Sequence, residues 1–235
     1  MNARSVGAIL AVALFSGSGL SACGTAASPA PEVAAPPLDQ SRPPSEVVEV
    51  VESHAREGFE HTGGVLKRTG IVVADAGGQR LEPGEFGRAR SIEALFAEGE
   101  HSFRLALNYS AAESEGDPER ICDVGVADGA YVSCEAEKVE GLTKFVKVMA
   151  LLPPEEVYIR EPLVIARPDR LKEHDGLVWY RRSVQFVDPE NSRIVSASEV
   201  FPANSVDAAM KEMRMSITEL TNMASDPDLA MDVTE

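Results

Sequence analysis

The chain is poor in the residues that usually build catalytic and metal centres. It has four histidines, three cysteines and one tryptophan, and aromatic residues make up 6% of it. Past residue 23 there is no Gly-x-Ser-x-Gly elbow, no Ser-x-x-Lys pair, no phosphate-cradling glycine loop and no His-Glu-x-x-His. These absences argue against an enzyme and leave only a hydrolase whose site is dispersed among carboxylates and histidines. Basic residues are also scarce, with 22 Lys+Arg against 38 Asp+Glu, and no basic patch interleaves with aromatics. Nucleic acid is therefore excluded as a partner. Finally, no stretch reaches the ~18 consecutive apolar residues of a membrane-spanning helix.

The histidines and acidic turns do not converge. His54, Glu57 and His61 fall at i, i+3 and i+7, which shares one helical face. Two histidines seven residues apart are separated by about 10 Å along a helix axis, too far to chelate one ion. The expected reading is a solvated polar face. Asp188, Glu190 and Asn191 form one oxygen-rich turn, and Asp226, Asp228 and Asp232 another, but neither has the spacing of a calcium loop. No cofactor and no metal are expected.

What the sequence does hold is an address. Arg4 precedes an apolar run from Val6 to Phe15, then come Ser16-Gly17-Ser18-Gly19 and Leu20-Ser21-Ala22-Cys23. Ten helical residues rise roughly 15 Å, half of the ~30 Å hydrocarbon layer, so the run is too short for a permanent span. The last four residues resemble the lipobox of bacterial lipoproteins, which implies cleavage before Cys23 and lipid on its thiol. A three-chain anchor of that kind is effectively permanent, since each buried methylene contributes about 0.8 kcal/mol. The resemblance implies a cell-envelope location; Gly24, where aspartate is the inner-membrane retention signal, leans toward the outer membrane in a diderm host. The alternative is an ordinary secretory signal with a chance cysteine.

Beyond Cys23 the charge is −17, from 21 Lys+Arg and 38 Asp+Glu. A polyanion repels phospholipid headgroups, so the folded part should stand off its membrane. Residues 24 to 44 are rich in Ala, Pro and Ser and read as a tether, reaching up to roughly 65 Å if extended at ~3.1 Å per residue. The expected organisation is residues 1–22 as signal peptide, 23–44 as lipidated cysteine and tether, 45–224 as one globular domain, and 225–235 as an acidic tail.

With Cys23 lipidated, Cys122 and Cys134 form the remaining pair, in a compartment where disulfides persist. Asp128-Gly129 lies midway between them and signals a β-hairpin whose register sets the two cysteines opposite each other. Two buried free thiols are the alternative.

The periodicity predicts an α+β fold, an antiparallel sheet packed against a C-terminal helix and one or two further helices. Ser45 is read as the cap of a helix to about Glu57, with Val47, Val51 and Ala55 on one face; its valines keep a strand alternative open. Val65–Ala74 reads as a strand ending at Asp75-Ala-Gly-Gly78, Ser91–Glu98 as a short helix, and Phe103–Tyr109 as a half-buried strand. The acidic run 111–119 reads as a loop. Leu142, Phe145, Val146, Met149 and Leu152 stand at helical spacing before Pro153. A hairpin follows, turning at Asp188–Ser192, with Phe186 expected opposite Ile194, Arg181 opposite Glu199 and Trp179 opposite Phe201. Asn204 or Ser205 is then expected to cap one helix whose stripe is Val206, Met210, Met213, Ile217 and Leu220.

Trp179, Arg181 and Phe201, with Met215 off the helical stripe and expected at the surface, are the candidate interaction residues; Trp and Arg are favoured hot-spot types. A second small core under a neighbouring helix would use the same residues. The functional expectation is an envelope lipoprotein, anchored to the membrane through Cys23, that binds another protein or peptide. Its concrete version is an inhibitor or immunity-type protein against a basic partner. The alternative is a carrier or sensor for a small apolar ligand. Titration of oxidised, periplasm-purified mature protein with a thiol reagent is expected to find no free thiol; two would overturn the Cys122–Cys134 pairing.

Overall fold

The computed structural model describes residues 43–60, 66–109, 117–155, 163–230. The signal-peptide and tether assignments, His61, Asp232 and most of the 111–119 run lie outside these residues. The first described element is α1 (Pro44–Glu60), which opens on a proline whose missing N–H costs nothing in a first turn. Ser45 therefore lies inside the first turn and is not the cap. Val47, Val51, Ala55 and Phe59, at i, i+4, i+8 and i+12, are fully buried against the sheet, and helix wins over the valine-driven strand alternative because this stripe has a sheet to cover.

That sheet is curled and antiparallel, and its strands run in the order β1-β2-β3-β8-β7-β5-β4, with β6 attached to β5. The strands are β1 (Lys67–Ala74), β2 (Ser91–Glu98), β3 (His101–Tyr109), β4 (Ser133–Val139), β5 (Leu142–Leu152), β6 (Val164–Ile165), β7 (Val178–Asp188) and β8 (Arg193–Ala203). The remaining helices are α2 (Pro118–Ala127), α3 (Pro168–Glu173), α4 (Val206–Glu212) and α5 (Ile217–Ala224). The α+β expectation is the architecture found. On the inner face, Phe96, Phe103, Leu105, Val184, Phe186 and Ala197 pack under α1 and α5 as one core. Phe59 meets the Phe103 ring at 4.9 Å between centroids.

Three expected elements differ. Ser91–Glu98 is strand β2, because Ile92, Ala94 and Phe96 alternate inward at a period of two. Leu142–Leu152 is strand β5: it is apolar on both faces because both are covered, and a two-sided strand imitates helical spacing. The segment between the cysteines begins as helix α2, capped by Asp117, which accepts from the Glu119 N–H at 3.2 Å, with Pro118 in the first turn. Asp128-Gly129 ends that helix, with Gly129 at φ 73, the left-handed C-terminal position, so the Asp-Gly pair makes no hairpin. The disulfide Cys122–Cys134 forms nonetheless, joining α2 to β4 with Cα atoms 4.9 Å apart.

The β7–β8 hairpin exists with its register one residue from the expected one. Asp188 pairs with Arg193 and Phe186 stands opposite Val195. The Asp188 carboxylate accepts from Asn191 and Arg193, which leaves a four-residue loop in place of five. A slip of one residue exchanges the two faces of a strand. Arg182, not Arg181, therefore faces Glu199, and Trp179 faces Pro202, not Phe201.

The single C-terminal helix is also two. Ser205 caps α4, its hydroxyl accepting from the Ala208 N–H at 3.3 Å, and Ser216 caps α5 in a reciprocal box with Glu219. Between them Met213–Ser216 is pinned to the sheet by Glu199, which is fully buried on the inner face of β8. Its Oε1 accepts from Arg214 N at 3.0 Å and its Oε2 from Met215 N at 2.9 Å. His101 Nδ1 lies 2.6 Å from Oε1, and the Arg182 guanidinium donates to the Met215 carbonyl.

Replacing Glu199 by alanine is expected to cost about 3–5 kcal/mol in denaturant unfolding, the range for breaking a buried charged network. Glu199→Leu should rescue nothing, because the Arg214 and Met215 N–H groups stay unpaired. A Glu199→Leu protein as stable as the parent would refute the clamp.

Candidate functional site

The outer face of the sheet carries charge where the inner face carries the core. Arg104 on β3, Lys147 on β5 and Arg181 on β7 line one depression of about 160 Å³, with Tyr131, Met149, Ser183, Gln185, Ser196 and Ser198. The register assembles it. Lys147 stands opposite Ser183, Ser183 opposite Ser198, and Ser198 opposite Arg104, so four central strands deliver side chains of one parity to one patch. Strands place such groups rigidly, which is what a recognition site needs.

Lys147 is the most constrained of the three cations. Its Nζ donates to Gln185 Oε1 at 2.7 Å and lies 4.4 Å from the Phe145 ring centroid and 5.2 Å from that of Tyr131. Burial disfavours the charged ammonium and lowers its pKa to about 8. Burial also raises the Tyr131 phenol, keeping it neutral at physiological pH. Arg104 pairs with Glu93, and its Nε is buried with no hydrogen-bond partner among the described residues. No carboxylate is among the described lining residues, in a chain of net charge −16.

The pocket adjoins a small apolar cluster on the same face, in which Met149, Leu151 and Val200 are buried and Tyr131, Leu163 and Trp179 pack against them. Trp179 and Arg181, two residues apart on β7, thus share the site. Phe201 and Met215 do not. Phe201 belongs to the inner face, where its ring stands 4.6 Å from that of His101. Met215, expected at the surface, is fully buried in the main core beside the Glu199 clamp. Lys147 and Arg104 were not site candidates in the sequence; the available signals were a lysine inside the apolar run Leu142–Leu152 and an arginine on the non-core face of the alternating segment Phe103–Tyr109.

A second constellation joins residues that the sequence kept apart. His54 of α1 lies 3.1 Å through Nδ1 from Asp226 and 3.7 Å through Nε2 from Asp228, at the turn after α5. These three could supply ligands within 4.8 Å of one another. Asp226 is already engaged as the cap of that turn, accepting from the Asp228 N–H at 2.9 Å, so the contact fastens the C-terminal turn to α1. Glu57 contributes elsewhere, accepting from Ser53. The other oxygen-rich turn, at Asp188, is closed by its own hydrogen bonds.

Compared with known protein families, curated proteins and solved structures, the chain matches none. Among the described residues no helix is long and apolar enough to cross a membrane.

Tyr131 reaches Lys147 only because Gly125 lies beneath it: a Cβ there would fall 2.3 Å from the ring. Gly125→Ala should therefore lower the melting temperature, although alanine favours a helix by about 1 kcal/mol. Adding Tyr131→Ala should restore it in a double-mutant cycle. A stabilised single variant would overturn this packing.

Proposed function

We propose that the protein is a cell-envelope lipoprotein, anchored to the membrane through Cys23, that acts as a binding module for another protein or peptide. The observation that carries the reading is the outer sheet face, where Trp179 and Arg181 border a depression built of polar and cationic side chains on four rigid strands. Aromatic and arginine anchors beside a partly apolar pocket are the composition of binding hot spots. The lipobox and the proline-rich tether support the location, and a Cys122–Cys134 disulfide suits an oxidising compartment.

A basic partner is the version we favour, of the inhibitor or immunity type. Glu46, Glu49, Glu57 and Glu60 are exposed on α1 and fall within a narrow arc of its surface at 100° per residue. With the overall acidity they would steer a cation toward the domain. Weighing against the apolar-carrier alternative, the space between α1, α5 and the sheet is filled by Phe59, Phe96, Phe103 and Leu105. Weighing against a hydrolase, the buried carboxylate Glu199 is committed to backbone N–H groups.

Pull-down with the soluble mature domain, repeated across ionic strength, tests the reading. Capture is expected to weaken as salt rises and to be lost in Trp179→Ala at a temperature where circular dichroism shows that variant still folded. Capture indifferent to salt would remove the basic partner, and capture unchanged in Trp179→Ala would remove this face as the binding surface.

A further inference from the structure

We propose that the depression between Arg104, Lys147 and Arg181 is a receptor for a carboxylate borne on a small apolar or aromatic body. This rests on the outer face being the binding surface, and it names the group that the face holds. The argument begins with charge balance. Three cations line the depression; Arg104 is paired with Glu93, whereas Lys147 donates to the neutral amide of Gln185 and has no carboxylate partner among the described residues. An ammonium held in a half-buried space beside other cations loses hydration without gaining a counter-charge, a cost that an anion bound next to it removes.

The unused donors point the same way. Arg104 Nε is buried with no hydrogen-bond partner among the described residues; Ser196, Ser198 and Ser183 add hydroxyls from the adjoining strands. Charge-assisted hydrogen bonds to an oxyanion are about twice as strong as neutral ones, and planar guanidinium groups match the planar fork of a carboxylate. Size and surroundings define the remainder. About 160 Å³ holds roughly five waters at ~30 Å³ each, which suits a group of benzoate size. Tyr131 and Met149 supply an apolar wall, so the ligand carries its charge at one end.

Lys147 gives this site a pH dependence. The groups facing it are Arg104 from β3, Arg181 and Gln185 from β7, and Tyr131 from the connection between α2 and β4; Cys134, across from it on β4, is held in the disulfide. Its pKa of about 8 lies within reach of ordinary buffers. The ammonium supplies most of the affinity, which is nearly full at pH 7 and declines as pH rises through about 8. Between pH 7 and pH 9 the loss should be roughly fivefold.

The test is titration of the mature domain with benzoate, its neutral isostere benzamide, and N-acetyl-phenylalanine with a free or an amidated C-terminus. Calorimetry reads the affinity and the single Trp179 supplies a fluorescence signal. Benzoate is expected to bind saturably with Kd on the order of 1 mM, and benzamide at least about tenfold more weakly. Lys147→Met, which keeps the length and apolar stem of the side chain, should weaken benzoate about tenfold and abolish the pH dependence. If N-acetyl-phenylalanine binds more tightly than benzoate only when its carboxylate is free, the source is a peptide end. If it binds no better, the source is a free organic acid. Equal binding of benzoate and benzamide, no saturation up to about 10 mM, or an unaltered Lys147→Met protein would overturn the assignment. Partner capture that depends on Trp179 would survive that outcome and leave the binding-module reading standing.

Discussion

The structure turns on the Glu199 carboxylate. It is one charged side chain in the interior of a sheet, and it accepts from two successive backbone N–H groups, Arg214 and Met215, that no helix could supply to it without breaking. An α-helix interior spends its N–H groups on carbonyls four residues back. A carboxylate at this depth can be satisfied only if the chain above it leaves the helix for a turn. The break between α4 and α5, the burial of Met215 and the position of α5 over the inner core follow from that one demand. His101 and Arg182 surround the same group with polar hydrogen, so the cost of burying charge is met from several directions at once.

Much of the fold was legible wherever a single periodicity operated. The stripe Val47, Val51, Ala55 defined α1, and the alternation from Phe103 to Tyr109 defined β3, because in each case one face meets the core and the other does not. Legibility failed where a local signal had two physical meanings. Asp128-Gly129 serves a hairpin or a helix C-terminus equally well, since both need a residue at positive φ. Asp117-Pro118, the helix start that decides between them, lies eleven residues upstream. Strand β5 misled for the opposite reason: covered on both faces, it had no alternation to show. The β7–β8 register was missed by one residue, and a period-two structure converts that small error into a complete exchange of faces.

The same exchange governed the candidate site. Trp179 and Arg181 were recognisable from their chemistry, and the structure does set them on one surface. Phe201 was assigned to that surface through a register that the Asp188–Arg193 closure forbids. Lys147, Arg104 and Tyr131 could not be joined to Arg181 from the sequence, because they come from separate strands and one connection. Only the order β3-β8-β7-β5 brings them together.

A positive depression on a strongly acidic chain separates two roles that charge can play. The net charge acts at a distance, within a Debye length of about 8–10 Å from each surface group, and sets which molecules approach. The cations on the outer face act at contact, in a half-buried space where screening is weak and donors are directional. On an exposed loop a cation such as Lys147 would meet the surrounding carboxylates in surface ion pairs, as Arg56 and Arg68 meet Glu52. Mounted on central strands, Lys147 and Arg181 are separated from the acidic helix α1 by the sheet itself. Lys147 donates instead to a neutral amide, that of Gln185. The sheet thus does for charge what it does for the core, keeping apart two populations of side chains that would otherwise cancel.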